Sequence, residues 1–200
     1  MATLLLVRHG LTAETGKRLS GRRPGIGLTE EGRSQAEAAG RALERVPLAA
    51  VYTSPVQRCR ETARLVAAPH GLTPVQYRSL IEVDYGSWTG RSLGHLRRTK
   101  LWRRLDAAPS RVVFPGGERL GAVQGRAVQA CEEIAVLHEH SSVVLVSHGD
   151  VIAAVLAHYL GMPTDLYRRL RVAPASISRI ELPVDGPPAV SLVNHVPEVP

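Results

Sequence analysis

Cysteine is nearly absent: Cys59 and Cys131 are the two in 200 residues. Both fall in stretches that read as helix, which excludes a disulfide scaffold and points to a reducing compartment, the cytoplasm. Long apolar runs are missing as well. None approaches the roughly 18 residues of a membrane span, and the first, Leu4 to Val7, stops at Arg8-His9, too short for a secretory signal. The 18 Gly and 14 Pro make 32 of 200 residues, below the roughly 25–30% that marks low-complexity disorder. Lysine is scarce: of 25 basic residues only Lys17 and Lys100 are Lys, and 23 are Arg. The formal net charge is +7. The planar guanidinium suits oxyanions such as phosphate, so a solvated basic surface, an anionic small molecule and nucleic acid all stay open.

What is present is a globular balance of 44% hydrophobic and 22% charged residues, long enough for one domain over residues 1–200. Thr3 to Val7 reads as a buried parallel strand. Residues 12–28 read as a Gly-rich loop. Thr29 caps a helix that opens with Glu30 and Glu31 and runs to about Arg45. A strand over Ala49 to Thr53 precedes Ser54-Pro55, which reads as an N-cap with proline at the first helical position. That helix runs to about Ala68. A third strand is expected over Val75 to Ile81 and one helix over Ser92 to Leu105, inside an irregular stretch from Glu82 to Leu120. A long helix spans Arg119 to His140, a strand Ser142 to Ser147, and a helix Asp150 to Leu160. A hairpin of Ile177 to Leu182 with Val190 to Val193 closes the chain. This alternation predicts an α/β fold, a mostly parallel sheet with helices on both faces, and a site at the carboxyl ends of its strands.

Two strands end alike: Leu-Leu-Leu-Val-Arg-His9-Gly10 and Val-Val-Leu-Val-Ser-His148-Gly149. If they are neighbours, two imidazoles meet at the sheet edge, each followed by a glycine that lets a ligand approach the backbone. Arg58 falls in the first turn of its helix, where a cation is disfavoured by about 0.3–1 kcal/mol. An anion held at that helix end explains it; a surface ion pair with Glu61 is the plainer account. Two His, two Arg (Arg8 and Arg58) and a helix N-terminus suit a dianionic tetrahedral group. A neutral imidazole among cations is a nucleophile, which gives phosphoryl transfer through phosphohistidine.

Taken in order, Arg8-His9-Gly10-x-Thr12, Gly21-Arg22 and Leu28-Thr29-Glu30-Glu31-Gly32-Arg33-x-Gln35-Ala36 resemble the histidine phosphatase superfamily, of phosphoglycerate-mutase-like fold. So do Ser54-Pro55-x-x-Arg58-x-x-x-Thr62-Ala63, Leu80-x-Glu82-x-x-Tyr85-Gly86-x-Trp88-x-Gly90, Phe114-Pro115-Gly116-Gly117-Glu118 and Ser147-His148-Gly149-Asp150. The stretches Asp84 to Gly90 and Ser147 to Ile152 are most similar to an actinobacterial probable-phosphomutase subgroup, and to alpha-ribazole phosphatases. The resemblance implies His9 as the phosphorylated nucleophile. It places Arg8, Arg58 and His148 around the phosphoryl group, with Glu82 as proton donor and hydrogen bonds from Thr12 and the Gly149 backbone. It implies no cofactor and no metal, and a homodimer is common among such proteins. Thr15 stands where members often carry an Asn that contacts phosphate, and Gly21 matches a glycine near the substrate.

The expected function is hydrolysis of a small phosphorylated metabolite. A phosphomutase, or another enzyme acting on such a metabolite, is the alternative, and a non-catalytic phospholigand binder is a third class. Glu82 and Asp84 would share a face if extended; position in the motif favours Glu82 as the acid. Tyr85 and Trp88 read as core. His70, His95, His138, His140, His158 and His195 read as surface or loop residues without a metal. The basic run Arg97 to Arg104 reads as the solvated side of a helix whose other face is Leu93, Leu96, Leu101, Trp102 and Leu105. No membrane association and no nucleic-acid partner are expected, and residues 82–120 are expected to form a small cap over the strand ends.

Overall fold

The computed structural model describes residues 1–199. In chain order the main elements are β1 (Ala2–Arg8), α1 (Glu30–Leu43), β2 (Leu48–Thr53), α2 (Gln57–Ala67), β3 (Val75–Gln76), α3 (Leu93–Leu96), α4 (Lys100–Ala107), α5 (Leu120–Leu137), β4 (Ser142–Ser147), α6 (Gly149–Tyr159), β5 (Ile177–Leu182) and β6 (Ala189–His195). They build one six-stranded sheet in the order β3-β2-β4-β1-β5-β6. The first four strands of that order run parallel, while β5 pairs antiparallel with β1 and β6 antiparallel with β5.

Strand pleating sorts the side chains into two cores. Leu4, Leu6, Val143 and Leu145 face α5 and α6. Leu5, Val7, Val144 and Val146 face the other way, onto Ala39 and Leu43 of α1 and Cys59, Ala63 and Val66 of α2. A strand buried on both faces has no polar position, which is why β1 and β4 read as continuous apolar runs. Cys59 and Cys131 lie buried and unbridged in α2 and α5.

Four local expectations change. The third strand shortens to Val75–Gln76, because Arg78–Leu80 turns into a 3-10 helix that aims the chain back toward the site. The single helix over 92–105 is two: α3 ends at Leu96, and Thr99 caps α4 by accepting from Trp102 N at 3.1 Å. Helix α2 starts at Gln57, with Val56 rather than Ser54 at its N-cap. Finally, Gly10 serves packing rather than ligand approach: a Cβ there would sit 2.2 Å from the carbonyl oxygen of Gly32 in α1.

Between Glu82 and Leu120 the chain is irregular but filled. Trp88 stacks on Trp102 with centroids 5.9 Å apart, and Phe114 packs edge-on against both Tyr85 and Trp88. These rings join the core that covers α5 and α6. The cations of the basic run, Arg97, Arg98, Lys100, Arg103 and Arg104, are exposed, as the helical spacing predicts.

Candidate active site

Strands β1 and β4 are parallel neighbours in a register that pairs Arg8 with Ser147. The next residue on each is therefore the histidine, and the two rings meet with centroids 5.4 Å apart. His9 Nδ1–H donates to its neighbour's carbonyl, Gly10 O, at 2.8 Å. That bond assigns the tautomer and leaves the Nε2 lone pair for chemistry. Burial, reinforced by Arg58 and Arg8, holds the His9 pKa well below the usual imidazole value. The ring is neutral at physiological pH, as a nucleophile must be.

Arg58 is the hub. It is 2% exposed although it stands in the first turn of α2. Its Nε–H donates to His9 Nε2 at 3.1 Å, and its Nη2 donates to Gly21 O at 2.8 Å and to His148 Nδ1 at 3.0 Å. Glu61, the surface partner considered for it, instead accepts from Leu28 N and Gln57 and faces Arg33. Arg58 Nη1 and Arg8 Nε are buried donors with no protein acceptor among the described residues. Buried guanidinium N–H groups are costly to leave unpaired, and both flank a cleft of about 390 Å³ that His9 also lines. An oxyanion fits them.

His148, fully buried, is the N-cap residue of α6. Its Nδ1 accepts from Arg58, so Nε2 carries the proton and donates to Ser54 Oγ at 2.8 Å. Ser54 Oγ thus meets a residue 94 positions away and also accepts from Val56 N at 3.4 Å, just ahead of α2. Burial and the adjacent Arg58 hold the His148 pKa well below normal. Gly149, the first residue of α6, lies against Arg8, where a Cβ would come within 3.3 Å of Nε.

Glu82 sits at the cleft wall, its Oε2 3.5 Å from His148 Nδ1 and 3.7 Å from Arg58 Nη2. Burial and the Asp150 carboxylate outweigh the two arginines, and its pKa is raised to about 7. Asp84 goes elsewhere: it faces Arg22 and accepts from Gly86 N. Arg22 and Arg126 grip the carbonyl of Glu82 at 2.8 and 3.2 Å, and Glu118 bridges both arginines. Thr12 is buried at the cleft floor. Thr15 accepts from Thr12 N at 3.0 Å and meets its hydroxyl at 3.0 Å, so it orients Thr12. Gly21, with φ +53°, turns the loop so that its carbonyl reaches Arg58.

The structure thus brings together all nine residues expected around the site: Arg8, His9, Thr12, Thr15, Gly21, Arg58, Glu82, His148 and Gly149. Sequence reasoning missed Ser54 as a partner of His148. It also missed Asp150, which accepts from Tyr85 OH at 2.5 Å and Tyr167 OH at 3.4 Å, making Tyr85 a cleft residue as well as a core one. The cleft segment from Tyr167 to Ala173 was not anticipated either. Only the Asp directly after His148-Gly149 gave any local signal.

Residues 4–195 match the model of the histidine phosphatase superfamily, branch 1. The chain belongs to that superfamily. A solved structure, YhfR of Bacillus stearothermophilus, superposes with a TM-score of 0.91 at 32% identity, covering 98% of each chain. Phosphoserine phosphatase 1 of Hydrogenobacter thermophilus is 32% identical over 187 residues, covering 91% of this chain and 87% of that protein. A bifunctional protein of Mycobacterium tuberculosis is 35% identical over 195 residues, which is 96% of this chain but 53% of that protein. The chain spans about half the length of that relative. Membership and fold agree with the resemblance drawn from the motifs. Among the described residues, no helix is long and apolar enough to cross a membrane.

Proposed function

We propose that this chain is a phosphomonoesterase that hydrolyses a small phosphorylated metabolite through a phosphohistidine at His9. The observation that carries the reading is the placement of two buried, unpaired guanidinium donors beside a neutral imidazole whose unprotonated nitrogen, Nε2, is held by Arg58. The phosphatase name of the Hydrogenobacter relative supports it.

His9 Nε2 attacks phosphorus as the ester P–O bond breaks. The leaving oxygen takes the bond's electron pair and a proton from Glu82, which a pKa of about 7 keeps partly protonated at neutral pH. Arg8 and Arg58 face the charge on the transferring oxygens, and His148 accepts from Arg58 and holds it in place. Glu82, now a carboxylate, accepts a proton from water. The water oxygen bonds to phosphorus, the N–P bond breaks, and its pair returns to Nε2. Gly10 O holds the Nδ1 proton throughout. We read residues 1–200 as a single domain in which residues 82–120 cap the strand ends, with Glu82, Tyr85 and Leu93 reaching the cleft. The free, buried cysteines favour a cytoplasmic setting.

The test is a panel of phosphorylated metabolites with product identification, run on wild type and His9→Ala. Expected are release of inorganic phosphate and an acid-labile, base-stable phosphoryl adduct on wild type alone. Phosphate moved within the substrate without release would assign a mutase. An active His9→Ala variant would overturn the nucleophile.

A further inference from the structure

The proton donor Glu82 is placed without a β-ladder. From Ile81 to Tyr85 the chain has no regular secondary structure, so individual hydrogen bonds, with Val83 packed into the core, fix where Glu82 stands. The carbonyls of this segment take most of them. Ser79 O accepts from Arg126 Nη1 at 2.6 Å and Leu80 O from Ser147 Oγ at 2.8 Å. Glu82 O accepts from Arg22 Nε at 2.8 Å and Arg126 Nη2 at 3.2 Å, and Asp84 O from Glu118 N at 2.9 Å.

Two guanidinium groups thus converge on one carbonyl, an arrangement that their like charge opposes. The Glu118 carboxylate offsets that repulsion. Its Oε2 accepts from Arg22 Nη2 at 2.8 Å, from Asp84 N at 2.9 Å and from Arg126 Nη2 at 3.3 Å, while Oε1 meets Arg126 Nε at 3.3 Å. Burial acts to raise the Glu118 pKa, but the Asp84 amide and the two arginines outweigh it and hold the carboxyl below its ordinary value, so it stays charged. Three pieces of chain meet at this carboxylate: the 12–28 loop through Arg22, α5 through Arg126, and the acid-bearing segment through Asp84. Arg22 follows Gly21, whose carbonyl accepts from Arg58. Glu118 therefore ties the segment that carries the acid to the loop that holds Arg58. The two meet again in the cleft, where Glu82 Oε2 lies 3.7 Å from Arg58 Nη2. Glu118 itself does not line the cleft.

We propose that Glu118 is a positioning residue for the acid step, holding the Glu82 carboxyl against the departing oxygen through Arg22, Arg126 and the Asp84 amide without touching substrate. This rests on the hydrolase reading above and names what fixes its proton donor. The experiment is single-turnover phosphorylation of His9 by an alkyl phosphate and by nitrophenyl phosphate. Glu118→Gln keeps the volume and removes the charge that holds the two arginines together. It should lower the alkyl rate by roughly tenfold to a hundredfold, the cost of an ångström-scale misplacement. The nitrophenyl rate should fall much less, because that leaving group needs little help from a proton. The nitrophenyl rate in the same sample reports the intact phosphate site, so a variant that is only less well folded loses both rates by the same factor.

With the alkyl ester, Glu82→Gln combined with Glu118→Gln should match Glu82→Gln alone, since a residue that acts through another adds nothing once that one is gone. Glu132→Gln, exposed on α5, should change neither rate. Arg22→Gln breaks the same tie from the loop side. It should reproduce the selective loss, and it carries the test if Glu118→Gln does not fold. No loss with either ester, the same loss with both, or a further loss on top of Glu82→Gln overturns the inference and leaves the hydrolase reading intact. No phosphorylation of wild type by either ester would instead overturn the hydrolase reading.

Discussion

Arg58 donates its Nε–H to Nε2 of His9 across 3.1 Å, the nitrogen that must attack phosphorus. A cation so close keeps the imidazole unprotonated, and the same guanidinium keeps its Nη1 unpaired for an oxygen of the incoming phosphoryl group. Nucleophile and charge stabiliser are thus set by one contact, made possible because α2 starts beside the carboxyl end of β1.

Arg58→Ala should lower kcat by about 10²–10³, the cost of losing a preorganised donor to transition-state charge. Arg104→Ala on the exposed face of α4 should stay within about twofold, as for most surface changes. Arg58→Lys should resemble the alanine variant, since one ammonium cannot meet Gly21 O, His148 and His9 together. Steady-state kinetics on nitrophenyl phosphate check this; equal losses in the Arg58 and Arg104 variants would place Arg58 outside the reaction.

Glu82→Gln should discriminate between leaving groups. An alkoxide needs a proton to depart, and a nitrophenolate needs little help. In single turnovers, phosphorylation of His9 by an alkyl phosphate should fall by roughly 10²–10⁴, the range of general acid catalysis, and by nitrophenyl phosphate much less. With the alkyl ester, wild type should also lose first-step rate as pH rises through about 7, where Glu82 gives up its proton, and the variant should lack this limb. Asp84→Asn should change neither. The same loss with both esters would make Glu82 a structural residue.

The raised pKa of Glu82 also affects folding. The folded protein holds this proton up to about pH 7, whereas the unfolded chain releases it near the ordinary value of 4.5. Between those limits the native state binds more protons, so this group's contribution to stability is full below pH 4.5 and is lost as pH rises through 7. Glutamine does not titrate. Glu82→Gln should therefore gain on wild type by about 1–3 kcal/mol between pH 4.5 and 8. Urea melts of both proteins across this range measure the difference, in which the depressed histidines cancel. A difference that is flat with pH would mean that Glu82 titrates normally.

Ser54→Ala should leave the His148 Nε2 proton buried with only the sulfur of Cys59 nearby, at 3.4 Å. An orphaned buried donor costs about 1–3 kcal/mol. The ring would be free to turn away from Arg58, so activity should fall together with Tm. Ser54→Thr keeps the hydroxyl and should recover much of the activity. If Ser54→Ala matches wild type in both, the Ser54–His148 bond does not orient the ring.

The strands, the capped helix after Thr29 and the two His-Gly turns were legible because each rests on local information: apolar runs that end abruptly, acids in a first turn, a glycine after a histidine. The motif order also carried the membership and pointed to nine residues that the fold brings together. Ser54 shows where local reading stops. Ser-Pro is a sound helix-start signal, but helix α2 begins at Gln57, and the hydroxyl also meets an imidazole 94 residues away that no local pattern announces. Gly10 shows the same limit, since its missing Cβ answers to a carbonyl of α1 that only packing brings near. Spacing could not separate Glu82 from Asp84; tertiary structure did, by burying one beside His148 and turning the other to Arg22. The sequence by itself determined which chemistry-bearing side chains the protein possesses and which of them leave the ends of buried strands, because period and turn chemistry act over a few residues. Tertiary structure alone decided which groups are desolvated, which donors stay unpaired and which arginines face the cleft, because burial and field depend on what the rest of the chain places around each atom.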